Sequence, residues 1–380
     1  MHRFLSPELI ALRDTTRRFA EREVLPRATA IDREDRFDRT LYRGMAELGL
    51  FGVALREAAG GAGLGAMGAC VAMEELARCS GAIGNAFAIP AEAVLFLDHH
   101  GNARQQALIP AILAGDTIPA TAVSEPDFGS DVAAMRTTAR RDGAGWVLRG
   151  NKAWVTLGGV VDALMVFART SDDSGHRAIS CFLLDGNSPG LHRGKIEDLL
   201  GMHGLEDCQI TLDDVHAPAD ALIGPENGAF KIAMSNFNFS RLLMSAMALG
   251  MAQAAFEDAV AYAKQRRQFG TAIIGHQAVQ FMLADMSTDI DAARLLIHHA
   301  ARLYDMGEPI AREAAQAKLF TTDMATKHVS NALQIHGGNG YSREYRVERL
   351  FRDVRLAQIY EGTNQIQRLI IARQIEKDSA

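Results

Sequence analysis

The spacing of apolar residues changes twice along this chain, and those two changes limit what it can fold into. Up to about residue 118 apolar side chains recur at helical intervals, as at Leu9, Leu12, Phe19 and Val24. From about 119 to 226 the pattern becomes short apolar or alternating runs, ALMVFART, AISCFLLD and CQITLDD among them. Turn residues part these runs, such as Gly143-Ala144-Gly145 and Asp185-Gly186-Asn187-Ser188-Pro189-Gly190. After Gly228 the helical interval returns in segments longer than the usual globular helix: Phe230 to Phe269, His276 to Met306 and Pro309 to Ile335. The spacing predicts an α+β chain, mostly α. It has an N-terminal α-helical domain over 1–118, a small central antiparallel β-domain over 119–228 and a C-terminal helical bundle over 229–380.

Shorter helices are expected at Leu41–Leu48, Ala69–Arg78, Pro90–His99, Arg104–Ala114, Arg343–Ala357 and Asn364–Glu376. Ser6-Pro7-Glu8 reads as a start signal: an N-cap, a proline at the first helical position and an acid in the first turn. At 380 residues the chain has room for two or three cores. A net charge of -6 argues against nucleic acid, whose phosphates need clustered Lys and Arg. Cys70, Cys79, Cys181 and Cys208 share no CxxC spacing, so no zinc or dithiol centre is signalled, and so few cysteines fit a reducing compartment. The opening MHRFLSPEL has no apolar h-region. Leu242 to Phe256 comes closest to a membrane span, but Ser245, Gln253 and flanking charges mark a buried helix. The expectation is a cytoplasmic protein with no membrane span.

Two apparent motifs fail on context. Gly63-Leu64-Gly65-Ala66-Met67-Gly68 satisfies GxGxxG, but no strand leads directly into it and no βαβ pattern follows, so a loop is expected. His99-His100 and His298-His299 are adjacent pairs, which point to different helix faces and cannot chelate together. Three other segments carry possible chemistry. AVSEPDFGSDVAA, residues 122–134, offers Ser124, Ser130 and turn amides as donors to a polar ring or phosphate. NKAWVTLGG, residues 151–159, sets Trp154 and Thr156 on the same side of a strand, where an indole face and a hydroxyl suit a flat heterocycle; core packing is the commoner fate of a tryptophan. Residues 334–368 hold Gly337, Gly338 and Gly340, which permit close backbone approach. They end on IYEGTNQIQR, where one carboxylate, Glu361, sits at the mouth of an apolar patch. A helix-dipole contact is the ordinary reading of such an acid.

Taken in order, SEPDFGSD, KAWVT, RRQFG, QIHGGNGY and IYEGTNQIQRLIIAR resemble the acyl-CoA dehydrogenase family along essentially the whole chain. That resemblance implies an N-terminal helical domain, a central β-domain and a C-terminal four-helix bundle, with FAD between the β-domain and the bundle. Ser124 and Ser130 match loop positions near flavin and substrate, and Trp154 and Thr156 match positions that pack on and hydrogen-bond to the isoalloxazine. Thr363 and Gln365 match C-terminal FAD contacts. Arg266, Gln268 and Phe269, with Gln334, Gly337 and Gly338, resemble positions reaching the ADP part of a neighbouring subunit's cofactor. A homotetramer, a dimer of dimers, is therefore expected. Asn238 and Arg241 match positions near CoA, with Ser130 and Tyr360 also facing substrate, and Glu361 falls on the catalytic base. Some relatives carry the base just before the arginine matching Arg241, but that residue here is Ser240, which cannot serve.

The implied reaction is α,β-dehydrogenation of an acyl-CoA to the 2,3-enoyl-CoA, with electrons passing to an electron-transferring flavoprotein. Alternatives are a flavin oxidase or monooxygenase of the same fold on a non-CoA substrate, a dehydrogenase of carrier-protein thioesters, and a helical scaffold that has lost its cofactor. Asp127, Phe128, Leu157 and His203 depart from the family pattern and leave the acyl group unread. The pocket-lining match is SGAIGNAFAIPAEAVLFLD, residues 80–98, which has no Lys or Arg and one acid, Glu92, and so disfavours a dicarboxylate.

Overall fold

A computed structural model describes residues 5–173 and 175–378. The first third is helical: α1 (Pro7–Phe19), a π-turn over Ala20–Val24, α2 (Leu25–Glu34), α3 (Arg39–Glu47), α4 (Gly65–Ala77), α5 (Gly81–His100), α6 (Ala103–Gln106) and α7 (Ile109–Leu113). The Ser6 hydroxyl accepts from the Leu9 amide at 3.4 Å and Pro7 opens α1, as the start signal requires. Two helices differ from expectation. α5 starts nine residues before Pro90, capped by Ser80, and carries the proline inside; its neighbours are almost wholly buried, so packing offsets the lost backbone bond. The expected helix over Arg104–Ala114 is two short ones, divided before Pro110.

The middle of the chain forms β1 (Pro119–Ala122), β2 (Thr138–Asp142), β3 (Gly145–Val155), β4 (Ala163–Arg169), β5 (Ile179–Asp185), β6 (Leu191–Ile196), β7 (Cys208–Ala217) and β8 (Leu222–Ile223). They make one sheet in the order β6-β7-β3-β2-β4-β5-β8, with β1 added beside β4. Asp142 pairs with Gly145 across a two-residue turn in which Gly143 adopts φ 56°, the left-handed conformation such hairpins need. The sheet is not wholly antiparallel: β1 runs parallel to β4 from Pro119↔Ala163 to Ala122↔Val166, and β2 meets β4 in parallel at Thr138↔Arg169. Its own small core centres on Trp146 against Phe182, ring centroids 5.1 Å apart.

The remainder is α8 (Ala229–Gln265), a hairpin of β9 (Arg267–Gln268) and β10 (Thr271–Ala272), α9 (Gln277–Asp305), α10 (Ala311–His336), α11 (Arg346–Val354) and α12 (Asn364–Asp378). The helices α8, α9, α10 and α12 pack as a bundle, and α8 also lies along α4 and α5. The larger core therefore runs from the first helices into the bundle. α5 and α8 are long and apolar enough to cross a membrane, yet 83% and 89% of their most apolar windows are buried in the fold, as core helices are. The second half of the GxGxxG stretch opens α4 instead of forming a loop. The Asp305 carboxylate occupies its first amides, at 2.6 Å from Ala66 N and 3.1 Å from Met67 N, leaving no cradle for a pyrophosphate.

The α4–α8 seam depends on one absent side chain. A Cβ on Gly250 would stand 2.3 Å from the Glu74 carbonyl oxygen, so only glycine allows the two backbones this approach. Gly250→Ala is expected to cost about 1–3 kcal/mol of stability. Thermal unfolding checks this, and an unchanged midpoint would mean the seam yields freely.

Candidate active site

Glu361 stands on a left-handed turn between α11 and α12, with φ 53° at Glu361 and 83° at Gly362. Such a conformation is unfavourable for a residue with a Cβ, so neighbouring bonds must hold it. The fully buried Lys318 of α10 donates from Nζ to Gly362 O at 2.8 Å and to Asn364 Oδ1 at 3.1 Å. Gln367 Nε2 donates to the same Gly362 oxygen at 2.8 Å and to Glu361 O at 3.2 Å. Asn364 is fixed in turn by its bond to Asp323 Oδ1 at 2.7 Å. The turn is thus anchored from two helices, and its side chain is free to face inward.

Burial pushes the Glu361 carboxyl above its ordinary range, while Arg241 first and Lys318 second pull it back. No amide of α12 bonds to this carboxylate among the described residues; the Thr363 hydroxyl accepts from Ile366 N instead, at 3.3 Å, so the helix-dipole reading has no contact behind it. Arg241 is buried on α8, donates to Asn238 Oδ1 at 2.7 Å and leaves its Nε without a partner. Lys318 is pushed down to about 8 by burial, with Glu361 opposing. Tyr360 packs its hydroxyl on Met247 Sδ at 3.4 Å. Glu361, Tyr360, Arg241 and Lys318 therefore form one cluster at the junction of α8, α10 and the C-terminal turn. Its chemistry is that of a base: a carboxylate made reluctant to ionise by dryness and kept ionisable by two cations.

The β-domain supplies a second group of candidates. Glu125 and Phe128 close a tight turn through reciprocal backbone bonds, and the turn is tied to β3 by Ala153 N donating to Ser124 O at 3.0 Å. The buried Glu125 carboxylate accepts from Arg136 N at 2.7 Å, Thr137 N at 2.8 Å and Lys152 Nζ at 3.0 Å. Burial lowers Lys152 to about 8, opposed by Glu125. This pair pins the loop, leaving Ser124 half-buried and Ser130 exposed. Trp154 and Thr156 do not share a strand face by simple alternation. A bulge between Lys152 and Val155 and φ 58° at Trp154 rotate the indole out of the core, to 59% exposure. Thr156 lies just beyond the strand and donates to Asp207 Oδ1 at 2.8 Å; burial raises Asp207 to about 6. A tryptophan held out by strained backbone, with a half-buried hydroxyl two residues on, fits a flat heterocycle better than a core role.

Seven further candidates are exposed in the single chain. Arg266, Gln268 and Phe269 lie at the β9–β10 hairpin, where Phe269 is 96% exposed with φ 52°. Gln334, Gly337 and Gly338 are also exposed, and neither glycine has any atom near a would-be Cβ. Gln365 is exposed at the start of α12. Of the unusual residues, Asp127 is exposed and 3.5 Å from Arg136, whose guanidinium also covers the Phe128 ring. Leu157 is fully buried. His203 meets the carbonyls of Asp32 at 2.8 Å and Leu199 at 2.9 Å, joining the β-domain to α2. Sequence reasoning passes over Lys318, Lys152, Glu125 and Asp207. A lysine within an apolar helical or strand pattern is the one signal that marks the first two.

Three family models match in succession: "Acyl-CoA dehydrogenase, N-terminal domain" over residues 6–116, the middle domain over 120–215 and the C-terminal domain over 227–376. The acyl-CoA dehydrogenase of Bacillus subtilis (strain 168) is 40% identical over 374 residues, covering 97% of this chain and 98% of the relative. The mitochondrial short-chain specific acyl-CoA dehydrogenase of Bos taurus is 41% identical, covering 96% and 89%. Among solved structures, butyryl-CoA dehydrogenase from Megasphaera elsdenii superposes with a TM-score of 0.95 at 33% identity, covering 98% of this chain and 99% of that one. PigA with FAD and proline superposes at 0.94 with 26% identity, covering 98% of both chains. The chain belongs to the acyl-CoA dehydrogenase family. It is a flavoprotein oxidoreductase.

Glu125→Gln strands the Lys152 ammonium in the core and is expected to cost about 3–5 kcal/mol, read as a fall in unfolding midpoint. Adding Lys152→Met to Glu125→Gln removes the stranded charge while the Gln oxygen still accepts from the loop amides, and restores most of it. If the double variant is no better than the single one, the charge is not what the first change uncovers.

Proposed function

We propose that Glu361 takes the Cα proton in the α,β-dehydrogenation of an acyl-CoA thioester, the reaction that membership of this family entails. The carrying observation is the locked left-handed turn at Glu361–Gly362 with Arg241 and Lys318 facing its carboxylate. A proton beside a thioester carbonyl is weakly acidic, so its removal needs a base that is dry and fixed in place. Burial makes Glu361 the stronger base, and the two cations keep a usable fraction ionised. Arg241, with its unpartnered Nε, and Asn238 hold the CoA end, while Ser130 and Tyr360 line the path of the acyl group.

FAD is the cofactor this reading requires, and when bound it supplies the acceptor for the hydride that leaves Cβ as the Cα proton goes to Glu361. Trp154 and Thr156 would flank its ring, Ser124 and Ser130 would donate from the loop, and Thr363 and Gln365 would meet it from the C-terminal turn. Arg266, Gln268, Phe269, Gln334, Gly337 and Gly338 would serve the ADP end of a neighbouring subunit's FAD. Their exposure within a single chain suits that use. A homotetramer built as a dimer of dimers, electron delivery to an electron-transferring flavoprotein and action in the cytoplasm complete the proposal. The product is the 2,3-enoyl-CoA.

Glu361→Gln keeps the shape of the turn and removes the base. The variant is expected to stay yellow but to bleach with saturated acyl-CoA roughly 10²–10⁴-fold more slowly. Unchanged bleaching would end the assignment, and rapid turnover with oxygen alone would favour an oxidase. Lys318→Met removes a positive charge that favours ionised Glu361. The acidic limb of kcat/KM therefore moves to higher pH, because the base must lose its proton against greater resistance. Lys318→Gln keeps a donor toward Gly362 O and should shift the limb the same way with less loss of rate. A limb that stays put in both variants would contradict the role of the charge.

A further inference from the structure

From Gly81 to Leu97 every residue of α5 is buried except Ile89 and Glu92, which stand three positions apart and so share one helix face. A partly open face on an otherwise internal helix borders an internal chamber. The groups around Glu92 identify the chamber: the Ser240 hydroxyl approaches its carboxyl, Glu361 acts on it, and Glu92 acts in turn on Tyr360 and Tyr304. Glu92 therefore looks from α5 into the space that Glu361 enters from the C-terminal turn.

What it lacks is as informative as what it touches. No ion pair joins Glu92 to a basic side chain among the described residues, and the two cations of the cluster act on Glu361 instead. Burial, reinforced by the Glu361 charge, raises the Glu92 carboxyl well above the usual carboxylate range and so favours its protonated form. A neutral carboxyl has one O–H to give and lone pairs on both oxygens, more than a single serine hydroxyl can satisfy. Ser240 also directs its own hydroxyl toward Asn236 O, at 3.4 Å. An unmet donor in a dry acyl chamber asks for an oxygen on the substrate.

We infer that Glu92 is a specificity residue that selects acyl groups carrying a neutral oxygen, a hydroxyl or keto group, placed along the chain beyond the reacting carbons. This deepens the dehydrogenase reading and rests on it. A plain alkyl chain leaves the Glu92 carboxyl unpaired against hydrocarbon. A terminal carboxylate meets the Glu361 charge in the same space and is refused as well.

The test uses the FAD-loaded enzyme with paired CoA thioesters: straight saturated acids of increasing length, and the same acids with a terminal hydroxyl. The wild type is expected to favour the hydroxyl member at a matching length by about tenfold to a hundredfold in kcat/KM and in affinity, read from the flavin spectrum on titration. Glu92→Leu abolishes that preference by improving the plain series, and Glu92→Gln, which keeps a donor, retains part of it. Should Glu92→Leu fail to fold, the wild-type panel and Glu92→Gln decide. A wild type that takes plain chains at least as well at every length overturns the inference, as does a ratio unmoved by either substitution. If no thioester of either series bleaches the wild-type flavin, the dehydrogenase reading falls first and this one with it.

Discussion

Lys318 Nζ on the Gly362 carbonyl, 2.8 Å apart in the dry interior of the bundle, is the contact on which the site depends. The residue before that glycine has a Cβ and sits at φ 53°, a conformation costing about 1–3 kcal/mol that persists only where surrounding bonds dictate it. Lys318, Gln367 and Asn364 provide those bonds from α10 and α12. The same lysine then adds its charge to that of Arg241 across from the carboxylate. One side chain thus sets both the direction of Glu361 and its readiness to ionise.

The β-domain repeats this device. Lys152 and Glu125 are both buried, and their pairing offers little net stability over an apolar pair of the same volume. What the pair does is fix a loop: Glu125 takes the amides of Arg136 and Thr137, so the turn bearing Ser124 and Ser130 cannot drift from β3. One residue past Ala153 the strand bulges and Trp154 turns outward. In both halves of the site a buried lysine holds backbone that regular secondary structure would not, and a strained residue beside it presents the candidate side chain.

Much of the architecture is legible in the sequence because apolar spacing directly reports burial on a helix face or a strand face. The long bundle helices end within a few residues of their apolar patterns. Spacing carries no strand direction, so the parallel pairing of β1 with β4 is invisible in it. Pro90 imitates a helix start, and only the buried surroundings of α5 allow it to lie inside. At the site, motif order names Glu361, Tyr360 and Arg241, which lie together, and Trp154, whose outward turn no strand propensity could announce. Lys318 escapes because its meaning comes from a distant partner, a carbonyl 44 residues along, whereas Glu92 is already marked as an acid within the pocket-lining match.

The most direct measurement is a crystal structure of the FAD-loaded protein with a non-reactive thioether analogue of an acyl-CoA. The account predicts the Glu361 carboxylate against the carbon next to the thioester position, with the flavin ring on the opposite face of that carbon and its neighbour, and Lys318 still on Gly362 O. A Glu361 side chain turned to solvent in that complex, or a flavin ring seated away from Trp154 and Thr156, would contradict it.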